Sequence, residues 1–308
     1  MRAFTGATVL LLITLSMPVV ASARTLTVGL NSQLRSPSAA AVMVKNGDTV
    51  LIEPGEYTDC AVWNANNLVI EGKGDVVIRD RVCEDKAIFV TNGANITVRN
   101  ITFAHARSSG KNGAGIRAMG ENLTVEGSRF RDNENGILSG PSPRSRIVIR
   151  NSVFTGNGKC DPECAHGIYI GAIDSLGVAG CTFLQQNEGH HIKSRALHTE
   201  IVGNTIKDGP VGTASFAVDV PDGGSLILRR NVIEKGPRAE NHIAAVSIGE
   251  ESQRNATSEL IIERNTFIND FNGPTTFVRN GTSVSARLIG NTLTGAVTAL
   301  SGRGTVEP

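Results

Sequence analysis

The stretch Glu188-Gly-His-His-Ile-Lys-Ser-Arg-Ala196 crowds titratable side chains into nine residues. In a strand the side chains alternate, so with Ile192 turned inward, His191, Lys193 and Arg195 form an outward row. Such a row can move a proton and hold an anion. Tyr169 and His166 stand upstream and Asp219 downstream. Cleavage of a uronate polymer by β-elimination needs a partner for the carboxylate, a base for the C5 proton and an acid for the leaving oxygen. Lys193, His191 or His166 could be the base, Tyr169 the acid or base, and Arg195 the carboxylate partner. Asp219, His190 and Arg117 are expected to bind substrate. Hydrolysis would instead need paired carboxylates. No Asp-Asp pair occurs, and Asp222 lies in a Pro-Asp-Gly-Gly sequence, which reads as a turn.

These residues need a frame that brings them together, and a recurring phrase supplies it. Ile96-Thr-Val-Arg-Asn-Ile-Thr-Phe103 returns as Leu123-Thr-Val-Glu-Gly-Ser-Arg-Phe130 and as Ile147-Val-Ile-Arg-Asn-Ser-Val-Phe154. Later copies end at Phe183, Ile206, Ile233, Phe267 and Leu293, at steps of 23 to 34 residues. Such a period with alternating apolar positions predicts a solenoid of strands. Asn or Gly near the end of each phrase tolerates left-handed backbone, and stacked Asn side chains can bond along the axis. Tyr169 lies 14 residues before its phrase end, Lys193 13 and Asp219 14. The three should therefore stack on consecutive rungs about 4.8 Å apart. Ser247 and Glu250 or Glu251 continue the file. The insertions 103–115, 154–167 and 249–258 are expected to be loops rimming a binding face.

Bulk composition narrows the classes. Arg2, the apolar run Val9 to Leu15 and Ala21-Ser22-Ala23 read as a secretory signal over 1–23. The run is too short to span a bilayer, so no membrane insertion is expected. Residues 24–308 form one domain, with a capping segment over about 24–52 and coils over about 53–300. The chain has 30 basic and 29 acidic residues, and without Arg2 the balance is zero, which gives no footing for nucleic acid. Basic residues on the earlier coils, Arg107, Lys111, Arg117, Arg129, Arg131, Arg144 and Arg146, would give a groove drawing in an anionic glycan. An exported chain permits disulfides. Cys60 pairs with Cys83, Cys160 pairs with Cys164 across a tight loop, and Cys181 is a buried free thiol. Neither cysteine pair is read as a metal site, and calcium is left open as a cofactor.

The opening resembles that of pectate-lyase-like proteins. A strand over Thr25 to Val28 leads to Ser36-Pro37-Ser38, an N-cap for a short helix from Ala39 to Val44. Lys45-Asn-Gly-Asp-Thr-Val-Leu-Ile-Glu-Pro-Gly-Glu-Tyr57 then matches that superfamily's turn-and-strand phrase. The resemblance implies an all-β right-handed parallel β-helix, a solenoid with a short N-terminal capping helix. Within the superfamily, Ile192-Lys193-Ser194 followed by Asn204-Thr205-Ile206 resembles a segment of the alginate lyase and chondroitinase B family. That likeness implies Lys193 as the proton-abstracting base and calcium as the cation on the carboxylate. The family's next coil carries an Arg-His-Gly phrase with the acid; Asp219-Val-Pro-Asp-Gly223 stands there instead. The chain is thus expected to be a secreted or periplasmic monomer acting on an anionic polysaccharide, as a lyase. A non-catalytic glycan-binding or cell-surface scaffold and a uronate C5-epimerase are the alternatives.

Overall fold

The computed structural model describes Met1, Ala3 and residues 23–308. The expected signal segment lies outside the described residues. From Thr25 onward the chain winds into a parallel β-helix with three walls. The first wall has twelve strands, from Thr25–Val28 to Gly304–Glu307. The second and third have ten each, running from Gly55–Tyr57 to Thr292–Thr294 and from Ala61–Trp63 to Val297–Gly302. One coil visits the walls in order, as in Ile96–Arg99, Thr102–Ala104 and Ala114–Ala118. Among the described residues no helix is long and apolar enough to cross a membrane.

The recurring phrase is the first wall, a tight corner and the second wall. The corner needs a left-handed residue, and Asn100, Gly127, Asn151, Gly180 and Gly203 provide it with φ between 48° and 66°. Arg230 and Arg264 take the same conformation at 52° and 54°, where the Asn/Gly pattern did not anticipate arginine. The next slot points inward. Asn204, Asn231, Asn265 and Asn291 fill it on four successive coils, each Nδ2 donating to the next Oδ1 at 2.9 Å. These bonds satisfy amides that would be costly to bury alone.

Apolar files fill the bore. Trp63, Phe89, Phe103, Phe130, Phe154 and Phe183 follow one another with ring centroids 4.6 to 5.2 Å apart. All are essentially excluded from water. The capping helix spans Pro37–Ala41, shorter than expected, and Ser36 accepts from the Ala39 N–H at its start. Leu34, Ala41 and Val44 close the core at that end. The coils also run past the expected end near residue 300. Strand Gly304–Glu307 adds a rung to the first wall by pairing with Ala286–Ile289, because backbone pairing needs no apolar side chain.

Both expected disulfides form, Cys60–Cys83 and Cys160–Cys164. The second closes a small hairpin of Lys159–Cys160 against Cys164–Ala165. Cys181 is free and buried, and burial pushes its thiol up to about 11.

Candidate active-site groove

The third wall carries one outward file along nine of its ten strands, ending beside Ser301 of the last. In register it reads Val62, Val90, Arg117, Leu138, Tyr169, Lys193, Asp219, Ser247 and Arg279. Tyr169, Lys193 and Asp219 therefore occupy consecutive rungs, as their distances to the phrase ends predicted. The loops do the rest. The Cys160–Cys164 hairpin and the 249–258 loop fold over this part of the wall and leave a groove of about 570 Å³ lined by Tyr169, His166, His190, Lys193, Arg195 and Glu251. A second hollow of about 450 Å³ shares Tyr169, Arg195 and Cys164 with it and reaches back to Arg117.

Inside the groove the charges pair. Lys193 is 7 % exposed. Its Nζ lies 2.5 Å from Glu251 Oε1 and 3.3 Å from Asp219 Oδ2. Arg195 donates from Nη2 to Glu251 Oε2 at 2.5 Å, from Nη1 to Asp222 Oδ1 at 2.7 Å and from Nε to Tyr169 Oη at 3.0 Å. Burial works against the Arg195 charge, but its bonds to Glu251, Tyr169 and Asp222 outweigh it and hold the guanidinium above its usual range. Burial likewise disfavours the Glu251 carboxylate, and the bonds from Lys193 and Arg195 reverse this and hold it low. Asp219 goes the other way: desolvation outweighs the Lys193 contact and raises it.

The two groove histidines are locked in one tautomer. His166 Nδ1 accepts from the backbone N–H of His190 at 2.9 Å, and His190 Nδ1 accepts from that of Phe216 at 3.1 Å. The proton of each neutral ring therefore sits on Nε2. The rings stack at 4.7 Å, and His190 Nε2 lies 3.5 Å from Asp219 Oδ2. Burial, then neighbouring charge, drives both below the ordinary range, His190 to about 3. His166 is thus an N–H donor here. With Nδ1 engaged by an amide it has no free lone pair for a base, which corrects one of its expected roles.

His191 is the larger correction. It is 1 % exposed and turned inward, with Nε2 2.8 Å from Asp208 Oδ1. The strand begins only at Ile192, so alternation does not extend back to His191. His191 belongs to the buried corner and not to the groove. His190 takes the place beside Lys193.

One groove residue was read as a turn former, and a second was left as one of two candidates, Glu250 or Glu251. Asp222 is a buried carboxylate that anchors Arg195 and accepts from Ser252 Oγ at 2.8 Å. The Pro-Asp-Gly-Gly turn hid this, although an arginine on the neighbouring coil needed a counter-ion. Glu251, not Glu250, faces Lys193; Glu250 pairs with Arg279 at 3.0 Å. The basic residues of the earlier coils do not gather. Arg129 and Arg131 stand on the second wall. Arg144 and Arg146, on the first wall, meet Glu121 and Asp174. Of that set Arg117 alone joins the third-wall file.

The resemblance implied calcium, and the donor set does not fit it. Asp219, Asp222 and Glu251 are all bound to Lys193 or Arg195. Among the described residues no group of three His, Cys, Asp or Glu converges as metal ligands.

Residues 21–183 match the family described as "Right handed beta helix region". The chain belongs to the right-handed β-helix family. Known members of this fold that superpose on it include the A-module of a mannuronan C-5 epimerase from Azotobacter vinelandii, with 13 % identity over 87 % of this chain and 93 % of that one and a TM-score of 0.52. Pectate lyase Pel9A is 15 % identical over 94 % and 78 %, with a TM-score of 0.53. An alginate lyase from Paenibacillus sp. str. FPU-7 is 14 % identical over 90 % and 99 %, with a TM-score of 0.50. No curated protein matches by sequence. At these identities the likeness establishes the β-helix fold; structural neighbours of this fold act on polysaccharides.

Proposed function

We propose that this β-helix protein is an exported lyase that cleaves a uronic-acid-containing polysaccharide by β-elimination. The observation that carries this is the placement of Tyr169 and Lys193 on adjacent rungs of one groove, with Arg195 bonded to the tyrosine oxygen. A base, an acid and a carboxylate partner then lie within reach of one sugar. Lys193 takes the C5 proton; the C5–H electron pair becomes the C4–C5 double bond; the C4–O bond breaks and its oxygen takes the Tyr169 proton. The phenolate left behind faces the Arg195 guanidinium, which favours it electrostatically. The step uses Lys193 as the neutral amine, so its ammonium proton leaves first; Glu251 and Asp219, at 2.5 and 3.3 Å, are the carboxylates placed to take it. His166 and His190 remain neutral N–H donors. Two disulfides fit an oxidising compartment.

The test is to incubate the purified protein with alginate, pectate, chondroitin and hyaluronan and follow the ultraviolet absorbance of the unsaturated product. Product is expected on at least one polymer, with a loss of about a hundredfold or more in Lys193→Ala and in Tyr169→Phe. Full activity in Lys193→Ala would remove the lysine from its role. Proton exchange at C5 without chain cleavage would make the protein an epimerase. Binding with neither reaction would make it a glycan-binding scaffold.

A further inference from the structure

We infer that Arg117 is a second anion subsite, which holds a sugar carboxylate three rungs away from Lys193. This rests on the polysaccharide reading but not on catalysis. Arg117 sits on the same outward file, separated from Lys193 by Leu138 and Tyr169. Rung spacing puts the two backbones about 14 Å apart. The side chain is half-buried in the 450 Å³ hollow, among Asn112, Asn135, Ser139 and Tyr169.

What sets Arg117 apart is that nothing pairs with it. Its Nε is buried without a hydrogen-bond partner, and its guanidinium meets no carboxylate among the described residues. Desolvation pulls it below the usual arginine range, with only Tyr169 opposing. Its neighbours differ. Arg195 has Asp222 and Glu251, and Arg254 lies 3.6 Å from Asp222. Glu163 lines the hollow but forms no ion pair with Arg117. A half-buried cation without a counter-ion is unfavourable in the free protein. An anion arriving from outside would remove that penalty, and the planar guanidinium suits a carboxylate. The hollow opens into the Lys193 groove through Tyr169 and Arg195, so one chain can occupy both. Asn112 and Ser139 add a neutral amide and a hydroxyl for sugar hydroxyls, while Asn135 is held by the His166 N–H and the Asn112 carbonyl.

The experiment is binding, by calorimetry, of uronate oligosaccharides to the protein and to Arg117→Gln and Arg117→Lys. A hexasaccharide reaches from Lys193 to Arg117, whereas a disaccharide does not. Arg117→Gln is expected to weaken hexasaccharide binding about tenfold or more and to leave the disaccharide unchanged. Arg117→Lys should recover part of the loss. A sulfated neutral hexasaccharide that binds as tightly would make the subsite one for sulfate instead of carboxylate and overturn the assignment. Equal hexasaccharide affinity in Arg117→Gln would also overturn it. The melting temperature separates a structural role: Arg117→Gln should melt no lower than the parent, since it removes an uncompensated charge, and a drop of several degrees would count against the subsite. If the Arg117 effect is found but no unsaturated product forms, the subsite stands and the lyase proposal fails. If product forms and Arg117→Gln behaves as the parent, the reverse holds.

Discussion

The same coils present two very different outer surfaces. On the third wall the file runs Tyr169, Lys193, Asp219 and Ser247. On the first wall, the file through those coils runs Val148, Gly177, Glu200 and Ile227. Rung spacing and strand direction are identical. Yet Lys193 and Asp219 are buried, whereas Glu200 is exposed and makes no ion pair among the described residues. The difference comes from the loops. The Cys160–Cys164 hairpin and the 249–258 loop hang over the third wall, and the hollow on the first wall holds only about 270 Å³. A β-helix therefore offers ladders everywhere and makes a site only where insertions take a ladder out of water.

The sharpest test of that contrast is a carboxylate removed from each wall. Asp219→Ala strips Lys193 and His190 of a partner in a dry setting. It is expected to lower stability by about 3 kcal/mol, measured by denaturant unfolding. Glu200→Ala on the first wall should change it by less than about 0.5 kcal/mol. Equal small effects at both positions would show that the third-wall charges are solvated and that the groove is not closed.

How far this was legible in the sequence follows from the same geometry. The stacking of Tyr169, Lys193 and Asp219 was readable because it depends only on backbone counting from the recurring phrase. Cys60–Cys83 was readable because the two lie about one coil apart, Cys160–Cys164 because a tight loop joins them, and Cys181 because it falls in a slot of the recurring phrase. His191 was not, because its direction depends on where a strand starts, and one residue reverses it. Asp222 was hidden because a turn sequence and an ion-pair partner look alike until the neighbouring coil is placed. The earlier arginines looked like one basic patch because a linear sequence does not say which wall a residue stands on.

Protonation separates the two walls more gently. His190 is held near 3 in the fold, and a histidine in the unfolded chain titrates near 6.5. Between these values the unfolded chain holds the extra proton, so stability falls as pH drops from about 6.5 toward 3. His166 is shifted in the same direction. Asp219, raised by burial, opposes them at the acidic end. Replacing His190 isolates its share. Unfolding of His190→Gln, followed from pH 7 to pH 4, should lose up to about 1 kcal/mol per pH unit less than the parent. The exposed His198 of the first wall serves as the comparison, with His198→Gln followed over the same range. A parallel pair of curves for parent and His190→Gln would mean that the ring is reached by water and titrates normally.

Within the groove the smallest effect on stability belongs to Glu251, and it is the most informative about substrate. Its side chain is 48 % exposed, so the bonds to Lys193 and Arg195 are screened, and Glu251→Gln should cost less than about 1 kcal/mol. Binding should move the other way. Glu251 is the protein's own carboxylate, resting against Lys193, the base, and on Arg195, the cation that a uronate carboxylate would seek. Neutralising it removes a competitor and leaves Lys193 and Arg195 with Asp219 and Asp222 alone. Affinity for a uronate disaccharide should therefore rise in Glu251→Gln, while Glu250→Gln, which touches Arg279 instead, should leave it unchanged. A fall in affinity would mean that Glu251 holds the two cations in their binding geometry, and that the loop completes the site when sugar enters instead of yielding to it.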